Sequence, residues 1–309
     1  IYFQISSAVN AVIGANILTN LDNIIYIAVC AALLSFEVFP PTTQIGSSNL
    51  VKTLDSLRTL SPDFISVTCS NNNYDNIGDT TIKFADYVNN TLDIPAVAHL
   101  PAAYLDKAQV IEILKRLKDK QIKKILALRG DISDESRKED FRFASDLVKF
   151  IKDYDDSFEV LGACYPDIHP ESENRVSDFH YLKEKVDAGC DRLITQLFFD
   201  NDSFYDFQER CAIAEINTPI FAGIMPVINR NQILRLLKNC NTPLPAKFIR
   251  ILEKYEHNPI ALRDAGIAFA IDQIVDLVTE DVAGIHLYTM NNANTAHSIH
   301  SSISSLFTI

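Results

Sequence analysis

EVLGACYPDIHPESENRVSDFHYLKEKVDAGCDRLITQLF, residues 159–198, contains one complete structural unit. Glu159–Cys164 is a short apolar run of strand character, followed by a loop with two prolines. Phe179–Ala188 then carries apolar residues at helical spacing. Gly189 falls where a helix commonly ends on a left-handed residue, a conformation glycine adopts without steric cost. A second apolar run, Arg192–Phe198, begins almost at once. Strand, helix and strand at this spacing imply a parallel pair joined by a right-handed crossover.

Outward from this unit the pattern recurs. Runs at Leu34–Phe39, Phe64–Thr68, Ala96–Leu100, Lys124–Leu128, Ile220–Pro226 and Gly284–Tyr288 bring the expected strands to eight. Near-continuous apolar character suits parallel strands covered on both faces. Helical patterns lie between them. Lys107–Asp119 aligns Val110, Ile111, Leu114 and Leu117 on one stripe, and Phe141–Lys152 behaves alike. With nine glycines and no G-x-G-x-x-G loop, an open dinucleotide-binding sheet is disfavoured. The expected fold is a closed (β/α)8 TIM barrel, a single domain over residues 1–309. Asn229–Asp276 is too long for one helix and is expected to hold extra helices before the last strand. Residues 1–32 are expected to form a helical lead-in; the opening Ile1-Tyr2-Phe3-Gln4 lacks an initiator methionine and is set aside.

The formal net charge of -12 gives a surface that repels nucleic acid and anionic lipid, so neither is an expected partner. The apolar stretch Ile24–Phe36 is shorter than the roughly 20 residues a membrane-spanning helix needs. No Lys or Arg precedes Lys52, so the basic start of a secretory signal is missing. The six cysteines, Cys30, Cys69, Cys164, Cys190, Cys211 and Cys240, form no C-x-x-C pair. They read as reduced thiols in a cytoplasmic protein.

In such barrels the chemistry sits at the carboxyl ends of the strands. Those positions carry Glu37, Thr68, His99, Arg129-Gly130-Asp131, Tyr165 with His169, Gln196, and Tyr288 with Asn291. No lysine ends a strand, against a Schiff-base aldolase. No H-x-H or H-E-x-x-H occurs, so a metal site has no local signature. Glu37, between Phe36 and Val38, is expected to be partly desolvated, which favours a protonated carboxyl able to act as an acid. A structural pair with an arginine is the competing reading. Gly130 lets backbone approach a ligand closely and would aim Asp131 into the barrel mouth; a simple turn is the alternative. Pro166 and Pro170 stiffen a loop that could hold a ring or phosphate, although a lone histidine such as His169 is more often structural.

These motifs, in this order, resemble the methylenetetrahydrofolate reductase family. The matching stretches are F-E-V-F-P-P at Phe36–Pro41, S-V-T at Ser66–Thr68, A-H-L at Ala98–Leu100, L-R-G-D at Leu128–Asp131 and A-S-D-L-V at Ala144–Val148. Further matches are Y-P-D-I-H-P-E at Tyr165–Glu171, K-V-D-A-G at Lys185–Gly189, I-T-Q-L-F-F-D at Ile194–Asp200, G-I-M-P-V at Gly223–Val227 and H-L-Y-T-M-N at His286–Asn291. The resemblance spans residues 34 to 305.

The resemblance implies an FAD-dependent oxidoreductase with a ping-pong cycle. NADH or NADPH reduces the flavin, which then reduces methylenetetrahydrofolate to methyltetrahydrofolate in one-carbon metabolism and methionine biosynthesis. It makes Glu37 the general acid and Asp131 the carboxylate that contacts the pterin and tunes the flavin. Gln196, Gln232, Tyr288 and Asn292 match substrate positions. Thr68, His99, Arg129, Gly130, Asp131, Ala144, Tyr165, His169, Asp178 and Lys185 match FAD positions. No metal is implied, and a homo-oligomer, dimer or tetramer, is. Ending just after the last barrel helix, the chain resembles the short bacterial type and is expected to lack the regulatory domain of long eukaryotic members. Four departures stand out: Cys69-Ser70-Asn71 where the family has Y-G-A, Asn292 in place of an arginine, Leu236 in place of an aromatic, and Phe143 in place of a tyrosine. The competing functions are a metal-dependent lyase or hydrolase with Glu37, His99, Asp131 and His169 as ligands, a flavin-binding paralogue with another substrate, and a non-catalytic interaction role.

Overall fold

A computed structural model describes residues 32–69, 77–132, 137–229, 231–232 and 243–307. Strands β1 (Leu33–Val38), β2 (Phe64–Val67), β3 (Ala96–Pro101), β4 (Lys124–Leu128), β5 (Glu159–Cys164), β6 (Arg192–Thr195), β7 (Ile220–Ile224) and β8 (Gly284–Tyr288) pair in parallel in chain order. β8 returns to β1, with Glu37 opposite Tyr288, and closes the barrel. Helices α1 (Gln44–Arg58), α2 (Ile82–Asp86), α3 (Lys107–Asp119), α4 (Ala144–Tyr154), α5 (Arg175–Asp187) and α6 (Asn201–Ile213) connect successive strands. The expected extra helices before β8 are α7 (Ala246–Tyr255) and α8 (Pro259–Thr279), and α9 (Ala293–Ile303) follows β8. The expected lead-in up to residue 31, Cys30, Ser70, Asn71, Leu236 and Cys240 lie outside the described residues. Among the described residues, Cys69, Cys164, Cys190 and Cys211 are not joined in disulfides, and no helix is long and apolar enough to cross a membrane.

Local chemistry sets the helix bounds. α3 starts at a capping box: the Asp106 carboxylate accepts from the Gln109 N–H, and the Gln109 side chain accepts from the Asp106 N–H. Its buried stripe is Val110, Ile113, Leu114 and Leu117. Ile113 takes the place expected for Ile111, which lies about 100° around the helix from Val110 and is half-buried. α5 begins earlier than its apolar pattern because Asn174 caps it, accepting from the N–H groups of Val176 and Ser177. α4 begins later than Phe141, at Ala144, after the N-cap Phe143, whose N–H donates to the Asp146 carboxylate. Gly189 ends the α5 turn with φ +111°, the left-handed conformation its position required.

Four strands stop short of their expected runs, β1 at Val38 and β2 at Val67 by a single residue. β6 ends at Thr195 rather than Phe198, and β7 at Ile224 rather than Pro226, whose ring has no N–H for a ladder. The surplus apolar residues leave the sheet to build a second core: Leu197, Phe199 and Val227 pack with Phe248 of α7 and Leu262 of α8. Hydrophobicity continues across that boundary, so it cannot mark where the strand ends.

Alternate strand residues face the barrel interior. Phe64, Val97, Leu126, Leu161, Ile194 and Phe221 fill its lower part as one cluster. At the amino end, polar groups are paired reciprocally. The Leu34 N–H donates to Asp63 Oδ2 at 2.7 Å, and the Asp63 N–H returns a bond to the Leu34 carbonyl at 2.8 Å. Val160 and Asp191 repeat the arrangement at 2.7 and 2.8 Å. Glu159 takes both Lys124 and Arg192 as partners. At the carboxyl end the β8–β1 seam is sealed by side chains. Thr289 Oγ1 donates to the Glu37 carbonyl at 2.7 Å, and the Asn291 amide both accepts from the Phe39 N–H and donates to its carbonyl.

Candidate active site

The carboxyl ends of the strands enclose a cavity of about 440 Å³. Glu37, Thr68, His99, the turn Arg129-Gly130-Asp131, Tyr165, Gln196 and Tyr288 all stand in its wall. A smaller hollow of about 210 Å³ adjoins it beside α4 and α5, with Arg129, Ala144, Tyr165, His169 and Lys185 as the common partition. Asp178 lines the smaller hollow. Strand parity explains the gathering, because each inward residue at a strand end meets its counterparts over the barrel axis.

Glu37 is only 7% exposed. Its Oε2 lies 3.5 Å from His99 Nε2 and 3.8 Å from His286 Nε2. His286 is fully buried between two serines, with Nδ1 2.8 Å from Ser35 Oγ and Nε2 3.2 Å from Ser66 Oγ. The Ser35 hydroxyl also lies 3.1 Å from the Ile285 carbonyl, so its hydrogen has two acceptors within reach. Burial pulls the His99 pKa down to about 4, against the opposing attraction of Glu37. At neutral pH Glu37 thus faces an uncharged His99. His286 was not anticipated from the sequence. The signal was present: it lies two residues before Tyr288, so it points inward one layer below the rim.

The partition between the hollows is cationic but internally engaged. Arg129 makes a two-pronged pair with Glu171 at 2.6 and 2.7 Å. Lys185 is half-buried and donates to the Ala163 carbonyl; burial lowers its pKa, opposed by nearby Cys190, Cys164 and Asp178. His169 packs edge-on against Tyr165 at 4.6 Å. Its Nδ1 accepts from the Glu171 N–H at 3.1 Å, which assigns the ring proton to Nε2. Burial, then the Asp131 charge, pushes the Tyr165 phenol up to about 12. Asp178 accepts from Ser172 Oγ at 2.7 Å. Gly130 has φ +87°, a conformation that favours glycine where the turn enters the mouth. At the outer end of the smaller hollow, Phe143 stacks on Tyr181 with centroids 5.3 Å apart. Tyr181 was also missed; it lies three residues after Asp178 and four before Lys185, on the same helix face.

Two buried polar atoms in the cavity wall, Thr68 Oγ1 and His99 Nε2, have no hydrogen-bond partner among the described residues. Each costs about 1–3 kcal/mol unless something else supplies the partner. Among the described residues no three His, Cys, Asp or Glu side chains converge as metal ligands, so Glu37, His99, Asp131 and His169 do not form the alternative metal set.

Residues 26–304 match the family model described as methylenetetrahydrofolate reductase. The chain belongs to the methylenetetrahydrofolate reductase family. It is 34% identical over 266 residues to the 5,10-methylenetetrahydrofolate reductase of Pectobacterium carotovorum subsp. carotovorum, covering 86% of this chain and 88% of that protein. It is also 34% identical to methylenetetrahydrofolate reductase (NADH) 1 of Arabidopsis thaliana, covering 83% of this chain but 46% of the plant protein. A Clostridium thermocellum protein that binds two copies of 5-methyl-5,6,7,8-tetrahydrofolic acid shares the fold, with a TM-score of 0.61 at 14% identity over 90% of this chain and 96% of that one.

Not every residue matched to the methylenetetrahydrofolate reductase pattern reaches the cavity. Gln232 lies outside its wall, and its side-chain oxygen accepts from the Ile228 N–H at 2.8 Å. Asn292 also lies outside and caps α9, accepting from the Thr295 N–H at 3.1 Å. Gln196 is in the wall, with Oε1 turned back to the Leu197 N–H at 2.9 Å.

Proposed function

We propose that this chain reduces 5,10-methylenetetrahydrofolate to 5-methyltetrahydrofolate by a ping-pong cycle, with FAD as cofactor and NADH or NADPH as reductant. The observation that carries the reading is the buried carboxyl of Glu37 in a cavity whose wall also bears Asp131. FAD, when bound, would supply the hydride carrier between the nicotinamide and the one-carbon unit of the folate.

The residues fit such a group. Thr68 Oγ1 and His99 Nε2 are buried polar atoms in want of partners, as a heterocycle rich in nitrogen and oxygen supplies. Gly130 gives a backbone surface that a ring can approach. Lys185 and the Nε2–H of His169 can hold a diphosphate in the partition, with Arg129 shared between it and Glu171. Phe143 and Tyr181 offer a flat face for a purine.

The chain's own chemistry is acid catalysis. Glu37 gives its proton to a nitrogen of the folate imidazolidine ring, and the C–N bond to the one-carbon unit breaks to leave an electrophilic iminium. His99, its pKa lowered by burial, stands beside Glu37 as a neutral imidazole. Asp131, exposed on the wall, accepts from the N–H donors of the pterin.

The test is anaerobic. Purified holoprotein should be yellow and should bleach with NADH or NADPH. Methylenetetrahydrofolate should then restore the colour and yield methyltetrahydrofolate. Failure of both nucleotides to bleach it, or of the folate to reoxidise it, overturns the proposal.

A further inference from the structure

The ladder between β6 and β7 is broken in a particular way. Leu193 pairs with Ile220, and the Leu193 N–H donates to the Pro219 carbonyl. In a parallel ladder the pattern advances two residues at a time, so the Gly223 N–H should donate to the Thr195 carbonyl. It donates to Thr195 Oγ1 instead, at 2.8 Å. The released carbonyl accepts from the Tyr288 hydroxyl at 2.7 Å. A side chain from β8 has taken the place of a backbone rung between β6 and β7.

Tyr288 reaches that carbonyl because residue 223 has no side chain. A Cβ there would lie 2.3 Å from the Thr195 oxygen and 2.7 Å from the Tyr288 hydroxyl. The Tyr288 phenol is buried, which raises its pKa well above the usual tyrosine value and keeps it a donor. Its proton is committed to backbone, so it is not offered to a substrate. Its effect falls on the next residue, because Gln196 leaves the sheet directly after Thr195. The Gln196 N–H is held by the Cys164 carbonyl at 2.7 Å, and Phe198 two residues on by the Gln273 amide at 3.0 Å. Tyr288 is also the register partner of Glu37.

We propose that Tyr288 is a positioning residue which, through the Thr195 carbonyl, fixes the entry of Gln196 into the cavity and thereby sets the affinity for the folate. The inference rests on the proposed reaction and adds a specificity element to it. Gly223 belongs to the same device, since any side chain there would evict the hydroxyl.

The experiment is a double-mutant cycle on the holoenzyme, reading KM and kcat for methylenetetrahydrofolate in Y288F, Q196A and the double variant. Y288F removes one oxygen and should raise KM roughly five- to tenfold, about what one buried hydrogen bond controls, with a smaller change in kcat. The double variant should be no worse than the worse single one. G223A should reproduce the Y288F change in KM and add nothing to it; if G223A does not fold, the Y288F and Q196A cycle decides alone. Two results overturn the inference: losses that multiply in the double variant, or a Y288F protein that melts earlier with KM unmoved. A wild-type holoenzyme that bleaches with nucleotide but ignores folate would bring down the proposed reaction itself and this inference with it, an outcome separable from multiplying losses in an active enzyme.

Discussion

At the amino end of the barrel, Asp63 and Asp191 each exchange two hydrogen bonds with a neighbouring strand; at the carboxyl end, Thr68 and His99 keep buried polar atoms with none among the described residues. The same strands build both ends. The difference lies in what each end is for. The floor closes its donors and acceptors and spends nothing on ligands. The mouth carries unpaired groups, a buried carboxyl and a deprotonated imidazole, which destabilise the chain alone and become useful when a ligand completes them.

Four experiments press on this contrast. The largest effect is expected at the mouth. Glu37→Gln should still bind flavin and accept hydride, but flavin reoxidation by methylenetetrahydrofolate should slow by about 10²–10⁴, as read by anaerobic stopped flow. Normal reoxidation would remove the acid from the mechanism.

Second in size is a pH effect from His99. Its folded pKa of about 4 lies below the ordinary histidine value of 6.5, so below pH 6.5 the unfolded chain binds the extra proton first. Stability from this group is whole above that pH and drains away as pH falls toward 4, by roughly 3 kcal/mol in all. Urea unfolding at pH 7 and at pH 4.5 should show the loss. His99→Asn should flatten it by comparison, and an equal slope in the variant would show that other groups dominate.

Third, at the floor, Asp191→Ala strands the buried Val160 N–H and should cost about 1–3 kcal/mol of unfolding free energy. Turnover per folded molecule should stay as it was; a matching fall in kcat would erase the distinction between floor and mouth. The smallest effect is assigned to Asn292→Ala, which removes the α9 cap and should cost about 1 kcal/mol while leaving the KM for folate in place. A raised KM would return Asn292 to the substrate site.

The barrel was legible because its signal is repeated: eight apolar runs alternate with helical spacing, and the structure closes all of them into one sheet. Rim residues such as Glu37, His99, Tyr165 and Gln196 were legible for the same reason, since strand-end positions follow from the strands. Strand lengths were not. Leu197 and Phe198 look like strand residues, yet they serve cores beyond the β6 ladder. Motif matching also did not foresee the local bonds of Gln232 and Asn292, because a polar side chain near a helix start can bond backbone as readily as it can contact a ligand, and spacing alone cannot separate the two. His286 and Tyr181 were overlooked because neither ends a strand: one lies a layer beneath the rim, the other on a helix behind it.

The seam at Asn291 has a consequence for the order of assembly. Glu37 is held by partners on β8 and by the residues just after it, some 250 residues later in the chain. A nascent chain emerging from the ribosome can form the central strand–helix units early, but its first strand keeps an open edge until residue 291 arrives. A chain halted before that point would expose a sheet edge at the strand that carries Glu37.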